Sequence, residues 1–232
     1  LMVNSKGTES MLELARVKKS KLVFASTSDV YGRNPDLPFS EEKNLVIGPS
    51  NVKRWAYAAS KIFDEHLCFA YEEKYGVMVS VLRFFGGYGP NQNTSWWGGP
   101  QSVFIDCALK NKAIPLHGDG SQTRSFTYVE DTVEGIVRAM ERPQANGEIL
   151  NIGNDREITI KNLADMIWGM VRPGKKPKIK FIPYDSLSKG YQDVMRRVPD
   201  LSKTEKVLGY RAKVSLEEGL PRTIEWQKGV TK

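Results

Sequence analysis

The sequence predicts an α/β protein built on a doubly wound parallel sheet, with a smaller α+β lobe toward the C-terminus. Helical patterns alternate with short apolar runs, which is the order of elements in this class. The apolar runs lack the polar and apolar alternation of a half-exposed strand, so we expect strands covered on both faces. A chain of 232 residues, 40% of them hydrophobic, can bury one core and a smaller lobe.

The first helix and the first strand are predicted close to the beginning of the sequence. Residues 5–17 follow a helical period and indicate an amphipathic helix. Its predicted apolar side consists of Met11, Leu12, Leu14, Ala15 and Val17. The apolar run from Leu22 to Ala25 then predicts a buried parallel strand.

A second helix and a second strand complete a βαβ unit. After a loop rich in proline and glycine, residues 55–75 are predicted to be helical, and Gly76 is well placed to end that helix. The run "VMVSVLRFF" is rich in β-branched and aromatic residues, which favours a strand, and "GGYGP" breaks it. We expect the two strands to be parallel and joined by a right-handed crossover.

The sequence changes character after Pro90, where the polar and glycine-rich stretch "NQNTSWWGGPQ" is typical of a binding loop. We therefore assign residues 1–90 to a first domain and residues 91–232 mainly to a second lobe, with residues 126–153 returning to the first sheet. The strand "KIKFIPY" is expected to alternate between buried and exposed residues. The other elements predicted there are helices at 103–111, from 130 to before Pro143 and at 159–171, strands at 114–117 and "GEILNIGN", and a closing helix over "SLEEGLPRTIEWQKG".

Composition argues against several classes of function. Cys68 and Cys107 lack a CxxC partner, and neither His66 nor His117 has a second ligand at metal spacing, so no metal site is expected. No apolar run is long enough to span a membrane and no signal peptide is recognisable, which predicts a cytoplasmic protein without a membrane partner. The net charge of +7 is spread along the chain, so no nucleic-acid partner is expected. Residues 175–180 hold the densest basic cluster, interpreted as solvated surface, although a cationic pocket for a diphosphate also fits.

The candidate chemistry lies where the first strand ends and the next helix begins. Tyr57 and Lys61 are four residues apart, so a helix places both side chains on one face. A neighbouring ammonium favours the phenolate and is expected to lower the pKa of the tyrosine, which makes Tyr57 a candidate general acid and base. Thr27 and Ser28 follow a buried strand at its carboxyl end, where α/β folds gather their ligands.

These residues together resemble the extended short-chain dehydrogenase/reductase family, and the resemblance covers essentially the whole chain. It is carried by "NSKGTESMLELAR", "KLVFASTSDVYG", "YAASK", "RFFGGYGP", "GDGSQTRSFTYVEDTVEGI" and "GEILNIGN". The family resemblance implies a Rossmann-like domain in residues 1–90, a substrate-binding lobe in residues 91–232, and NAD as cofactor. It also implies a UDP-sugar substrate that is oxidised at a ring carbon, usually C4.

The resemblance also implies the roles of individual residues. Thr27 would hold the C4 hydroxyl, Tyr57 would take its proton, Lys61 would hold the nicotinamide ribose and tune Tyr57, and Arg124 would contact the diphosphate. The catalytic set comprises Thr27, Tyr57, Lys61, Ser28 and Asp29. The cofactor-binding set comprises Tyr57, Lys61 and Phe84. The substrate-binding set comprises Arg124, Gln122, His117, Asn91 and Arg197.

Two positions depart from the usual motifs of the family and bear on its branch and substrate. The stretches "NLVIGPSNVKRWAYAASK" and "KGYQDVMRRVPD" look like UDP-glucuronate decarboxylases, but those enzymes carry glutamate where this chain has Asp29. We therefore expect a UDP-sugar 4-epimerase, with UDP-glucuronate decarboxylase as the alternative. At Gly86 many relatives have asparagine, so glycine there either leaves room for another sugar substituent or permits a close backbone approach. A non-catalytic dinucleotide-binding sensor or structural subunit is the third alternative, and the retained Tyr57 and Lys61 argue against it.

The sequence lacks the Gly-rich turn that receives the pyrophosphate in this family. We therefore expect the chain to be an N-terminally truncated part of a longer enzyme, without the first βαβ half, and to be inactive and unable to retain NAD on its own. The resemblance further implies a homodimer formed by the helices at about residues 5–17 and 55–75.

Overall fold

The computed structural model describes residues 1–186 and 193–231 and confirms the α/β class with parallel strand pairing. Its contacts divide the chain into two compact units. The first unit comprises residues 1–85, 132–155 and 198–211. The second unit comprises residues 86–131, 156–197 and 212–232. The roles assigned to the two domains from the sequence stay predictions.

The helices and strands occur close to the predicted positions, and several short elements are additional. The helices are α1 (Met2–Lys18), α2 (Arg54–Tyr75), α3 (Pro100–Leu109), α4 (Val129–Glu141), α5 (Ile160–Val171), α6 (Ser202–Leu208) and α7 (Leu216–Val230). The strands are β1 (Leu22–Thr27), β2 (Val79–Phe84), β3 (Gly87–Tyr88), β4 (Ile114–His117), β5 (Thr123–Ser125), β6 (Thr127–Tyr128), β7 (Glu148–Ile152), β8 (Glu157–Thr159), β9 (Ile179–Ile182) and β10 (Arg196–Arg197). Strands of two or three residues are too short to show a period of two, which is why the sequence did not predict β3, β5, β6, β8 and β10.

The first unit contains a parallel sheet in the order β1-β2-β7. β2 is its central strand and is buried over residues 79–83, as its unbroken apolar run predicted. In the register, Thr27 is paired with Phe84, and Phe84 is paired with Ile152. All three residues thus lie at the carboxyl end of the sheet, where parallel α/β folds place their ligands.

Helices α1 and α2 pack against each other and run parallel. The Asn4 amide donates to Ser60 Oγ (3.1 Å), and farther along both helices the Tyr71 hydroxyl donates to Glu13 (2.8 Å). The apolar side predicted for α1 was partly wrong. Leu12 and Ala15 are buried against α2 and the sheet, whereas Met11, Leu14 and Val17 are 50%, 48% and 67% exposed. The reason is that only a narrow side of α1 packs against α2 and the sheet, so the other apolar residues of this helix face outward.

A buried ion pair fixes α2 to the sheet. Glu65 on α2 accepts two hydrogen bonds from Arg83 of β2 (3.0 and 2.7 Å), and a third from the Ser26 hydroxyl of β1 (2.5 Å). Both charged side chains are at least 95% buried. A buried ion pair holds its geometry strongly, because loss of either partner leaves the other charge uncompensated. This contact therefore sets how α2 lies over β1 and β2.

The second unit has its own core, in which Trp168 of α5 and Phe104 of α3 are fully buried. Its strand pairs are β10-β5-β8, β3-β6 and β4-β9. Helix α7 begins with an acidic turn, where Ser215 and Glu218 form a capping box. The alternation predicted for β9 was wrong, since Lys180 and Phe181 are both exposed. A four-residue strand with β4 as its partner can leave neighbouring side chains open to solvent.

Two general findings concern the described residues. None of their helices combines the length and the apolar character needed to cross a membrane. Within residues 1–186 and 193–231, no group of three or more His, Cys, Asp or Glu side chains is arranged to hold a metal ion.

Candidate active site

The structure brings Thr27 and Tyr57 into contact. Thr27 is the last residue of β1, and its hydroxyl oxygen accepts the backbone N–H of Asp29 (3.2 Å). The same side chain is hydrogen-bonded to the phenol of Tyr57, in the first turn of α2. The phenol belongs to a side chain that is 46% exposed, so a substrate hydroxyl can reach the pair. Ser28, which follows Thr27, is buried.

Lys61 lies one helical turn after Tyr57 but makes its contacts with β1. Its ammonium donates to the Ala25 carbonyl oxygen (2.8 Å) and lies 4.6 Å from the centre of the Phe24 ring. Burial lowers the pKa of the lysine, because a low dielectric disfavours the charged form. The cation is therefore present near the predicted site, bound to the strand backbone.

The expectation that Tyr57 has a lowered pKa was wrong for this structure. Burial raises the pKa of the phenol, and the negative charge of Asp29 raises it further, while the hydrogen bond from Thr27 lowers it. The physical reason is that Lys61 is directed to the Ala25 carbonyl, so the charge acting on the phenol is that of Asp29. At neutral pH the phenol keeps its proton.

Asp29 has a partner that the sequence analysis did not identify. Arg54, the first residue of α2, lies with Nη2 4.0 Å from Asp29 Oδ1, and both side chains are at most one-third exposed. Arg54 is three residues before Tyr57, so the helix places both on one face. This spacing was visible in "RWAYAASK" and could have identified the arginine. Phe84, predicted to contact the cofactor, lies beside Thr27 in the strand register.

In the second unit, Arg124 is held by an acidic residue that the sequence did not single out. Its Nη2 lies 3.0 Å from Asp193 Oδ1, and its Nη1 donates to the Thr123 carbonyl oxygen (2.7 Å). The Tyr184 hydroxyl donates to the other oxygen of Asp193 (3.1 Å). Arg197 is paired with Arg124 in the register of β10 and β5, so these two predicted residues do lie together. The first four residues of "KGYQDVMRRVPD", 189–192, lie outside the described residues.

His117 and Gln122 also lie together in the second unit. The Gln122 side-chain amide donates to the His117 carbonyl oxygen (3.0 Å), and the imidazole stacks on Trp96 at 4.7 Å between ring centres. Burial lowers the pKa of His117, which favours the neutral imidazole. Asn91 lies in a turn with a φ of 66°. Its assignment to substrate binding stays a prediction.

The glycine at position 86 has a structural explanation. Its φ is 47°, and a Cβ atom built on it would collide with the Ser125 carbonyl oxygen. Of the two explanations open from the sequence, a close approach of two backbone segments is therefore the one supported by the geometry.

Comparison with known proteins gives the family. A family model described as GDP-mannose 4,6 dehydratase matches residues 1–223. The UDP-N-acetyl-alpha-D-glucosaminuronate decarboxylase of Bacillus cytotoxicus is 37% identical over 224 residues, which are 96% of this chain and 68% of that protein. UDP-glucuronic acid decarboxylase 6 of Arabidopsis thaliana is 36% identical over 221 residues, which are 95% of this chain and 61% of that enzyme.

Solved structures agree with the predicted Rossmann-like fold. The UDP-glucose 4-epimerase of Thermotoga maritima, solved with UDP-glucose, is 28% identical with a TM-score of 0.86, over 100% of this chain and 71% of its own. The UDP-glucuronic acid 4-epimerase of Bacillus cereus, solved with UDP-glucuronic acid and NAD, is also 28% identical with a TM-score of 0.86, over 99% of this chain and 68% of its own. By sequence and fold, the chain belongs to the GDP-mannose 4,6 dehydratase family of extended short-chain dehydrogenases/reductases.

Proposed function

We propose that this chain carries the residues that oxidise a UDP-sugar at C4, as the first step in the decarboxylation of a UDP-uronate. The observation that supports this proposal is the hydrogen bond between Thr27 and Tyr57 at the carboxyl end of β1, with Lys61 one turn farther along α2. A hydroxyl and a phenol in contact can hold an alcohol and move its proton.

Each side chain has a separate role in this proposal. Thr27 orients the C4 hydroxyl, and Tyr57 takes its proton during oxidation and returns one during reduction. Because the phenol is protonated at neutral pH in this structure, the forward step requires a lower pKa than the one set by burial and Asp29. Oxidation of the C4 alcohol to a ketone removes a hydride from the carbon as well as the proton from its oxygen, so a hydride acceptor is needed.

The residues present fit NAD as that acceptor. An ammonium has three N–H donors, and Lys61 gives one to the Ala25 carbonyl, so donors remain for the hydroxyls of a ribose. Phe84 is placed beside Thr27 and is only partly buried, which fits contact with a flat ring. NAD, when bound, would supply the oxidising equivalent. Lys61 and Phe84 would hold its nicotinamide half.

The choice of a uronate rests on the relatives and on Arg54. The Bacillus and Arabidopsis proteins named as decarboxylases are 37% and 36% identical to this chain, against 28% for the two epimerases. Arg54 places a guanidinium close to Asp29 and one turn before Tyr57. A guanidinium is well suited to bind a sugar carboxylate. Loss of that carboxylate is favoured once C4 is a ketone, because the two groups then form a β-keto acid.

Epimerisation at C4, which the sequence predicted first, is the second candidate. Two observations favour it: the solved 4-epimerases superimpose over nearly the whole chain, and Asp29 is one methylene shorter than the glutamate of the decarboxylases. Both outcomes start with the same oxidation. They differ in what happens to the 4-keto sugar before reduction. In decarboxylation it loses its carboxylate, whereas in epimerisation it rotates in the site so that its opposite face is reduced.

The test is to supply the protein with NAD and UDP-glucuronate labelled in the carboxylate carbon, and to measure trapped carbon dioxide and the sugar products. We expect labelled carbon dioxide in proportion to a UDP-pentose product. UDP-galacturonate without carbon dioxide would establish the epimerase instead. UDP-glucose and UDP-N-acetylglucosamine serve as substrates without a carboxylate. Both candidates would be contradicted if a longer form of the protein that contains this chain converted none of the three substrates.

The turnover tests should include any longer form of the protein that contains this chain. We propose that the 232-residue chain alone binds NAD poorly and does not turn over, because its sequence contains no Gly-rich turn for the pyrophosphate. Isothermal calorimetry of the chain with NAD checks this directly. Micromolar affinity would show that other residues hold the cofactor.

We further propose a homodimer that uses the outward face of α1 and α2. Met11 and Leu14 of α1 and Phe63 of α2 are 50%, 48% and 56% exposed, although all three are large and apolar. Sedimentation velocity should show a dimer, and Leu14→Lys should shift it toward monomer. Val230→Lys is the matched control, since Val230 is 53% exposed on a different helix. Monomer at all concentrations for the folded wild type would contradict the proposal.

A further inference from the structure

Asp64 is an unusual residue within α2. Its side chain is fully buried, and neither carboxyl oxygen has a hydrogen-bond partner within the described part of the chain. Taking an unpaired carboxylate out of water is costly, so buried acids normally have a donor or a counter-charge. The carboxyl of Asp64 therefore requires an explanation.

Hydroxyl groups in the seam between α1 and α2 are directed elsewhere. Because the two helices run parallel with Asn4 beside Ser60, the residue one turn farther on α1, Thr8, lies opposite Asp64. The Thr8 hydroxyl donates to the Asn4 carbonyl oxygen (2.9 Å), and the Ser60 hydroxyl donates to the Tyr57 carbonyl oxygen (2.8 Å). Neither hydroxyl hydrogen is therefore directed to Asp64.

The nearest cation along α2 is Lys61, three residues earlier and thus on the same side of the helix. We propose that Asp64 is a positioning residue whose buried carboxylate is the counter-charge of Lys61 and keeps that lysine an ammonium at the active site. The inference rests on the proposed function, because it gives a role to the lysine that holds the nicotinamide half of the cofactor.

The other ionisable groups near Lys61 do not supply this charge. On α2 they are Glu65, Cys68 and Tyr57, whose phenol keeps its proton at neutral pH, whereas β1 presents the Phe24 ring and the Ala25 carbonyl. Glu65 is neutralised by Arg83 in the bidentate ion pair. Burial raises the pKa of the Cys68 thiol to about 12, so it carries no charge at neutral pH. Asp64 is thus the acidic residue that remains.

The electrostatics of Lys61 agree with this geometry. Burial lowers the pKa of the lysine, and among the groups that oppose this effect Asp64 is the strongest. An opposite charge within reach favours the ammonium. Without Asp64, Lys61 would lose its proton at a lower pH.

The test measures the titration of Lys61 directly in this chain, with no cofactor and no turnover. The ε-methylene resonances of ¹³C-labelled lysine are followed by NMR against pH, and Lys61→Arg assigns the signal. Asp64→Asn keeps the size of the side chain and removes its charge. We expect the midpoint of Lys61 to fall by about one pH unit. Thr8→Val, opposite Asp64 on α1, is the matched control and should leave the midpoint unchanged.

An unchanged midpoint in folded Asp64→Asn would overturn the proposal. If that variant does not fold, Asp64→Ala provides the same measurement, and removal of an unpaired carboxyl is expected to leave it at least as stable as the wild type. A form of the protein that turns over UDP-sugar adds a separate readout. There the fall of kcat at high pH should begin at lower pH in Asp64→Asn. A moved Lys61 midpoint with an unmoved kcat profile would count against the proposed role of Lys61 and leave the ion pair established.

Discussion

The predicted residues of the first unit and those of the second differ in how their partners are placed along the chain. Tyr57 and Lys61 lie on one helix, and the strand residues that bind them, Thr27 and Ala25, belong to the preceding element. Arg124, in contrast, is held by Asp193, which follows it by 69 residues. A single spacing therefore reveals the first group, whereas the second depends on a contact that no local pattern shows.

The largest effect is expected from Tyr57→Phe in a form of the protein that turns over UDP-sugar. Removal of the proton-transfer group should lower kcat by about 10² to 10⁴ while leaving KM within a few-fold, because general acid and base catalysis contributes that much. Steady-state kinetics with UDP-glucuronate measures both constants.

Tyr75→Phe is the control for this variant, since Tyr75 is also exposed and is the last residue of the same helix. It should leave kcat unchanged. Near-normal kcat in Tyr57→Phe would show that Tyr57 is not the proton-transfer group, so that the first unit would hold no catalytic residue identified by its spacing.

The second prediction concerns the long-range pair. Arg124→Met should lower the free energy of unfolding by about 1.5–3 kcal/mol, because the buried carboxylate of Asp193 then loses its charge-assisted hydrogen bond from the guanidinium. Urea denaturation followed by tryptophan fluorescence measures the change. Arg196→Met is the matched control, since Arg196 is 55% exposed in its pair with Glu157 and should cost at most about 1 kcal/mol. Equal effects of the two substitutions would show that the Asp193 contact does not organise the second unit.

A third prediction tests the backbone contact beside Arg124. Gly86→Asn places a Cβ against the Ser125 carbonyl, which should cost about 1–3 kcal/mol in the free energy of unfolding. At Gly87 a Cβ would have no atom within 4 Å, so Gly87→Ala should be close to neutral. Thermal unfolding compares the two. If Gly86→Asn melts like the wild type, space for a sugar substituent becomes the better explanation of this glycine.

The smallest effect is expected from Asp29→Asn. The carboxylate raises the pKa of Tyr57, so its removal should lower that pKa and shift formation of the tyrosinate to lower pH. Because a base works only when deprotonated, the rise of kcat with pH should begin earlier as well. Ultraviolet titration, taken as the difference from a Tyr57→Phe background, isolates this phenol among nine tyrosines. Asp36→Asn, at a carboxylate that is 61% exposed, should show no such shift.

Residue types and spacings predicted the main elements of the fold but not the directions of side chains. The unbroken apolar run predicted β2 because a strand buried on both faces needs apolar residues throughout. The glycine after α2 predicted the end of that helix because the position has a left-handed φ of 68°. The same spacing argument failed for Lys61. A lysine has several rotatable bonds, and the carbonyl that it binds lies 36 residues earlier, on β1.

The candidate site was predicted in the same uneven way. Thr27 and Tyr57 were identified from the sequence and do touch. Arg54 and Asp193 were overlooked, because the role of each depends on an oppositely charged side chain that only the folded structure places beside it. Asp64 is a similar case. Its side chain is fully buried, although a charged residue in a helical pattern is normally expected at the surface.

The place of β1 at the edge of the sheet has a consequence for hydrogen exchange. In a parallel pair, alternate residues of a strand direct their N–H groups to the same neighbour. Leu22 donates to Met78 just before β2, so Phe24 and Ser26 also face β2, while the amides of Val23 and Ala25 point away from it. Among the described residues no strand pairs with that side. These two amides should therefore exchange with deuterium much faster than their neighbours, and their protection would report, residue by residue, the arrival of another strand at this edge.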